Sequence, residues 1–219
     1  MDFAKARINM VEQQVRPWDV LDTRVLDVME TLPRERFMPE PYQALAYADA
    51  EIPLGHGENT LAPVVIGRLL QAVSPQPTET VLEIGTGSGY VTACLARLCA
   101  RVDSIERVDT LRLNARNCLA DLGIENAQLR TDTVTTPDWA PPRPRYDAII
   151  VTGGMPEYDD FLEPYLTLGG RLFVITGDGP IMEAQLITRT TEDSFHRESL
   201  FETRVKPLVG FEPKPVFEF

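Results

Sequence analysis

The chain has 219 residues, 43% of them hydrophobic and 25% charged, which is enough for one sizeable core and short for two full domains. Its net charge of −12 creates a surface that repels phosphate backbones, so nucleic acid is disfavoured as a substrate. Apolar runs such as residues 148–151 are far too short to span a membrane, and the opening MDFAKARINM has no apolar signal core, so a cytoplasmic protein is expected.

Phe3, Ala6, Met10 and Val11 recur at helical spacing, and Pro17 limits that first helix. Asp22 is placed to cap a second helix, TRVLDVMETL, with Val25, Leu26 and Met29 on its apolar side and Pro33 at its end. The proline- and glycine-rich stretch that follows reads as a structured surface segment, and a helix restarts after Pro63. From Thr80 strands and helices alternate: TVLEIG, a helix through GYVTACLARLCA, RVDSIE, and a helix stopped by Gly123. AQLRTD, YDAIIVTG and RLFVITG supply three more strands, of which YDAIIVTG is apolar on both faces and therefore central. This alternation predicts an α/β fold with a mostly parallel, doubly wound sheet covered on both sides, preceded by an N-terminal helical segment. AQLITRTT and LFETRVKPLV read as strands added at one edge. Cys94, Cys99 and Cys118 form no C-x-x-C pair, and His56 and His196 are the only histidines, so the cysteines read as packing residues and no metal is expected.

The segment Glu83-Ile84-Gly85-Thr86-Gly87-Ser88-Gly89-Tyr90 follows a predicted strand and opens a helix, the context that a glycine-rich binding loop requires. Its G-x-G-x-G spacing is one residue tighter than the dinucleotide fingerprint. Three carboxylates accompany it at successive strand ends: Glu83 before the loop, Glu106 after the second strand and Asp132 after the third. Glu106 is placed to accept from both ribose hydroxyls and Asp132 from an adenine amino group. Such a set suits a ligand carrying hydroxyls, an amino group and a sulfonium, and it repels a pyrophosphate, so S-adenosylmethionine is expected over NAD. Glu83 either touches the ligand or orients the loop. Thr86 and Ser88 are candidates for backbone contacts only, and Tyr90 for packing.

These residues resemble the protein-L-isoaspartate O-methyltransferase family. VLEIGTGSGY resembles its first motif, SIER its ribose-binding segment, PRERFMPEPYQALAYADAEIPLGHG its N-terminal signature, and LGGRLFVITG its late strand. The resemblance implies a class I S-adenosylmethionine-dependent methyltransferase, 1–219 as a single domain: N-terminal helices and active-site loop (1–78), cofactor-binding core (79–180) and C-terminal edge strands (181–219). It implies cofactor contacts at Glu83, Gly85, Thr86, Gly87, Ser88, Gly89, Glu106, Asp132 and Thr133, and a protein or peptide substrate methylated on the carboxyl of an L-isoaspartyl residue. Where the family carries Q-T-I-S-Q-P, this chain reads Glu58-Asn59-Thr60-Leu61-Ala62-Pro63, which puts Leu61 at the serine position with the Thr60 hydroxyl beside it. The family's GDG reads Thr131-Asp132-Thr133, keeping the acid.

An ionised carboxylate acceptor attacks a methyl group without a general base. A hydroxyl or amine acceptor needs one, and His56 beside the divergent loop is then the candidate. A methyltransferase of the same family acting on a different acceptor, a small metabolite or a specific protein, and a non-catalytic cofactor-binding protein stand as alternatives.

Overall fold

The computed structural model describes residues 2–134 and 139–211. Helix α1 (Phe3–Met10) is capped by the Asp2 carboxylate, which accepts from the Lys5 amide; it runs on through a π-helical turn (Val11–Val15) and a 3-10 turn (Arg16–Trp18). In α2 (Thr23–Thr31) the Asp22 side chain accepts from Arg24 N at 2.9 Å, and Val25, Leu26 and Met29 are buried as their spacing requires. Helix α3 (Pro63–Val73) begins on its proline, where no amide partner is lost.

Residues 33–62 depart from the surface segment expected. Phe37, Met38, Ala46, Tyr47, Ile52 and Leu61 are buried, and so is the whole of Arg34. Proline and glycine suppress periodicity here, but they do not keep the side chains out of the core. Within this stretch β1 (Pro53–Gly55) and β2 (Glu58–Asn59) form a small antiparallel hairpin with His56 and Gly57 at its tip.

The main sheet contains β3 (Thr80–Ile84), β4 (Arg101–Glu106), β5 (Ala127–Thr131), β6 (Tyr146–Met155), β7 (Leu166–Thr176), β8 (Met182–Arg189) and β9 (Phe195–Thr203). Their order is β5-β4-β3-β6-β7-β8-β9. β3 to β7 run parallel, and β8 and β9 add antiparallel at the edge. Helices α4 (Tyr90–Leu98) and α5 (Asp109–Asp121) make the crossovers on one side of β3, and the chain then returns to pair β6 on the other side. That reversal opens a crevice at the carboxyl ends of β3, β4 and β6, where ligands of such sheets bind.

Strand alternation divides the core. Val81, Ala148, Ile150, Phe173 and Ile175 face the helices, whereas Leu82, Ile84, Ile149, Val151, Leu172 and Val174 face the opposite layer. The sheet is covered on both sides, but the second cover differs from the helices that alternation implied. Among the described residues it is built from loop side chains such as Val134, Trp139 and Leu162 and from a 3-10 turn (Glu163–Tyr165). The edge strands form as expected, except that Val205 to Val209 leave the sheet. This stretch turns back to pair with β6, with Gly154 N donating to Lys206 O and Leu208 N to Gly154 O.

Candidate active site

The loop between β3 and α4 is shaped by what its glycines permit. Gly85 has φ +97°, and a Cβ there would lie 2.2 Å from Thr152 Oγ1. Gly89 caps α4 at φ +86°, where a Cβ would meet the Ala115 Cβ at 2.7 Å. Gly85 N and Thr86 N both donate to Ile105 O, locking the loop to the end of β4. The Glu106 carboxylate completes the lock: one oxygen accepts from Gly87 N and the other from Val108 N, both at 2.8 Å. These two amides hold Glu106 beside the loop, at the crevice edge.

Glu83 occupies a different environment. Its side chain is fully buried, and one carboxylate oxygen accepts from Thr92 Oγ1 at 2.5 Å and Ser104 Oγ at 2.6 Å. Ser104 in turn bonds Thr86 Oγ1. The other oxygen is buried and has no partner among the described residues. Burial pushes the Glu83 carboxyl up to about 8, with the neighbouring Glu106 charge adding to the rise and the two hydroxyls opposing it. Glu83 therefore ties the loop to α4 and β4 from beneath and does not line the crevice. The Thr86 hydroxyl belongs to the same network, while Ser88 Oγ accepts from Tyr90 N at 3.3 Å. Tyr90 packs edge-on to Phe37 and beneath Arg34, as a packing residue should.

The crevice widens into a solvent-open cleft of about 810 Å³. Gly85, Gly87, Glu106, Asp132 and Thr133 line its strand-end wall, and Thr152 and Gly153 of β6 lie beside them. Asp132 is exposed, with its carboxylate accepting from Thr133 N at 2.8 Å and Trp139 Nε1 at 3.0 Å. Asn59, Thr60 and Leu61 form a second wall and Val205 to Val209 a third. The Leu61 side chain presents no hydrogen-bonding group, and Thr60 Oγ1 already accepts from Ile52 N at 3.0 Å and Arg34 Nη2 at 3.3 Å. His56 is outside the cleft lining, on the hairpin tip, with Nε2 3.0 Å from Thr110 Oγ1.

Two contributors escape sequence reasoning. Arg34 donates to Ala46 O and Leu61 O as well as to Thr60, so a buried guanidinium holds the second wall in place. Nothing in PRERF distinguishes it from a solvated charge. The third wall carries a readable signal, because Pro207 cannot donate within a strand and so argues against continuing LFETRVKPLV as one.

Parallel strands ordered around this crevice, a glycine loop locked to a strand-end carboxylate and a second acid one strand further define a class I S-adenosylmethionine-dependent methyltransferase fold. The residues fit that cofactor: Gly85 and Gly87 allow close approach, and Glu106 and Asp132 offer acceptors where ribose and adenine would lie. The chain belongs to the protein-L-isoaspartate(D-aspartate) O-methyltransferase family, whose model matches residues 6–212. It is 40% identical over 211 residues to protein-L-isoaspartate O-methyltransferase 1 of Rhodopseudomonas palustris, covering 96% of this chain and 85% of that protein. Over 189 residues it is 42% identical to the corresponding protein of Magnetococcus marinus, covering 86% and 82%. A Plasmodium falciparum structure assigned to the same enzyme, in complex with S-adenosyl-L-homocysteine, superposes with a TM-score of 0.77 at 20% identity, over 93% of this chain and 98% of that one. Among the described residues no helix is long and apolar enough to cross a membrane, and no group of three or more His, Cys, Asp or Glu is placed to hold a metal ion.

Proposed function

We propose that this protein, as one methyltransferase domain, esterifies the free carboxyl of L-isoaspartyl residues in proteins or peptides. The observation that carries this reading is the cleft itself, which sets the glycine loop and Glu106 opposite a wall of Thr60 and Leu61. S-adenosylmethionine, when bound, supplies an electrophilic methyl group on a sulfonium.

The chain's own residues do the positioning. Glu106 accepts from the ribose hydroxyls, Asp132 from the adenine amino group, and Gly85 and Gly87 leave room for the amino-acid portion. Glu83, with Thr86, holds the loop's shape. Thr133 and Ser88 flank the site through their backbone. The acceptor carboxylate is ionised at neutral pH, so no general base is required, which agrees with a His56 turned towards Thr110. The walls supply proximity, orientation and exclusion of water, together worth about 7–11 kcal/mol. The three free cysteines support a reducing, cytoplasmic setting.

Transfer from radiolabelled S-adenosylmethionine to an isoaspartyl peptide, with the matched aspartyl peptide as control, tests this directly. Ester formation on the isoaspartyl peptide alone is expected. Cofactor affinity without transfer to either peptide would move the acceptor to a small molecule, a reading that the apolar Leu61 wall favours.

A further inference from the structure

The cleft has an imbalance of charge. Among the described residues Glu51, Glu58, Glu106 and Asp132 line it, against Arg107 and Lys206. An anionic acceptor entering such a space is repelled unless a cation meets it. Arg107 is already engaged, with Nη2 2.8 Å from Glu58 Oε1. The Leu61 and Thr60 wall brings no positive charge of its own, because Leu61 is apolar and the Thr60 hydroxyl, which accepts from Ile52 N and Arg34, has only a neutral O–H left to offer.

Lys206 differs from all of these. Among the described residues its ammonium has no carboxylate partner, and it donates to the neutral carbonyl of Gly57 on the hairpin tip. Its backbone is pinned: Lys206 O accepts from Gly154 N at 2.8 Å, and Leu208 N donates to Gly154 O at 2.7 Å. A Cβ on Gly153 would lie 3.2 Å from Leu208 Cα and one on Gly154 3.3 Å from Val205 Cγ2, so β6 and this strand-like stretch are held together at close range. The base of the side chain is thus fixed at the cleft mouth while its tip rests on a partner that a carboxylate outcompetes.

We infer that Lys206 is the acceptor-recognition residue of this cleft, exchanging the Gly57 carbonyl for the free carboxylate of the isoaspartyl substrate. This rests on the isoaspartyl reading above. The ammonium stays protonated throughout and takes no part in methyl transfer; it binds the anion and directs its oxygen inward.

The test is the affinity of fluorescent isoaspartyl peptide, and of the same peptide as its methyl ester, for protein saturated with S-adenosylhomocysteine. In the parent protein the free acid should bind about tenfold more tightly than the ester, in line with one charge-assisted hydrogen bond, and raising salt should narrow the gap. Lys206→Met should abolish the preference and Lys206→Arg retain most of it, with S-adenosylhomocysteine affinity unchanged in both. A Lys206→Met protein that still prefers the acid overturns the inference. So does one whose loss is matched in S-adenosylhomocysteine affinity, which would make the lysine a strap for the whole cleft. A parent protein that binds no isoaspartyl peptide overturns the substrate reading and this inference with it.

Discussion

The two sides of the cleft are built by different means. The cofactor side comes from one stretch of about fifty residues, and its shape is held by backbone: amides on Ile105 O, amides on Glu106 and glycines at positive φ. The acceptor side joins residues 34, 59–61 and 205–209: backbone bonds to Gly154 pin the last stretch, but the Thr60 and Leu61 wall is held by a side chain reaching across the fold, the buried Arg34. Glycines at positive φ tolerate few other residue types, whereas a side chain that only faces the cleft, such as that at position 61, is open to substitution. That contrast accounts for a loop that keeps its family motif beside an acceptor wall in which Leu61 stands at the serine position.

The contrast is broken most severely by Gly85→Ala. Left-handed strain of about 1–2 kcal/mol adds to overpacking against Thr152 of about 1–3 kcal/mol, so urea unfolding should report a loss of about 2–5 kcal/mol together with lost cofactor binding. A variant of unchanged midpoint would show that the loop is less constrained than its geometry implies. On the acceptor side, Arg34→Met strands the carbonyls of Ala46 and Leu61, partly offset by relief from burying a cation. A loss of about 2–4 kcal/mol is expected, with peptide affinity falling more than cofactor affinity. Equal losses in both affinities would erase the distinction between the two sides. Glu106→Ala should weaken cofactor binding by about 1.5–3 kcal/mol in calorimetry, and unchanged affinity would remove the ribose assignment.

The gentlest probe is pH. The Glu83 carboxyl is raised by burial from 4.5 to about 8, so between those values the folded chain binds a proton that the unfolded chain has released. Stability from this group is therefore full below pH 4.5, falls as pH rises through the window by at most about 1.4 kcal/mol per unit, and levels off above 8. Glu83→Gln should flatten that slope in urea titrations at pH 5, 7 and 9. A slope identical to that of the parent protein would assign it to another group.

What was legible in the sequence follows the same division. Helix caps, strand ends, the glycine loop and its acids are local signals, and Asp22, Glu106 and Asp132 sit where their spacing placed them. The loop-built second face of the sheet was not legible, because Val134, Trp139 and Leu162 are scattered through loops and follow no period. Neither was the role of Arg34: a charged residue in a polar-looking stretch shows its burial only once three distant carbonyl and hydroxyl groups converge on it.

The return of Val205 to Val209 onto β6 has a consequence for biosynthesis. A ribosome releases every residue proposed to contact the cofactor by the time residue 133 has emerged, but the last cleft wall only after residue 209. A nascent chain, or one truncated in the turn closed by Thr190 N and Ser194 O, thus has every proposed cofactor contact and lacks the third cleft wall. Holding the methyl donor and being able to transfer it are separated by the translation of residues 134–209.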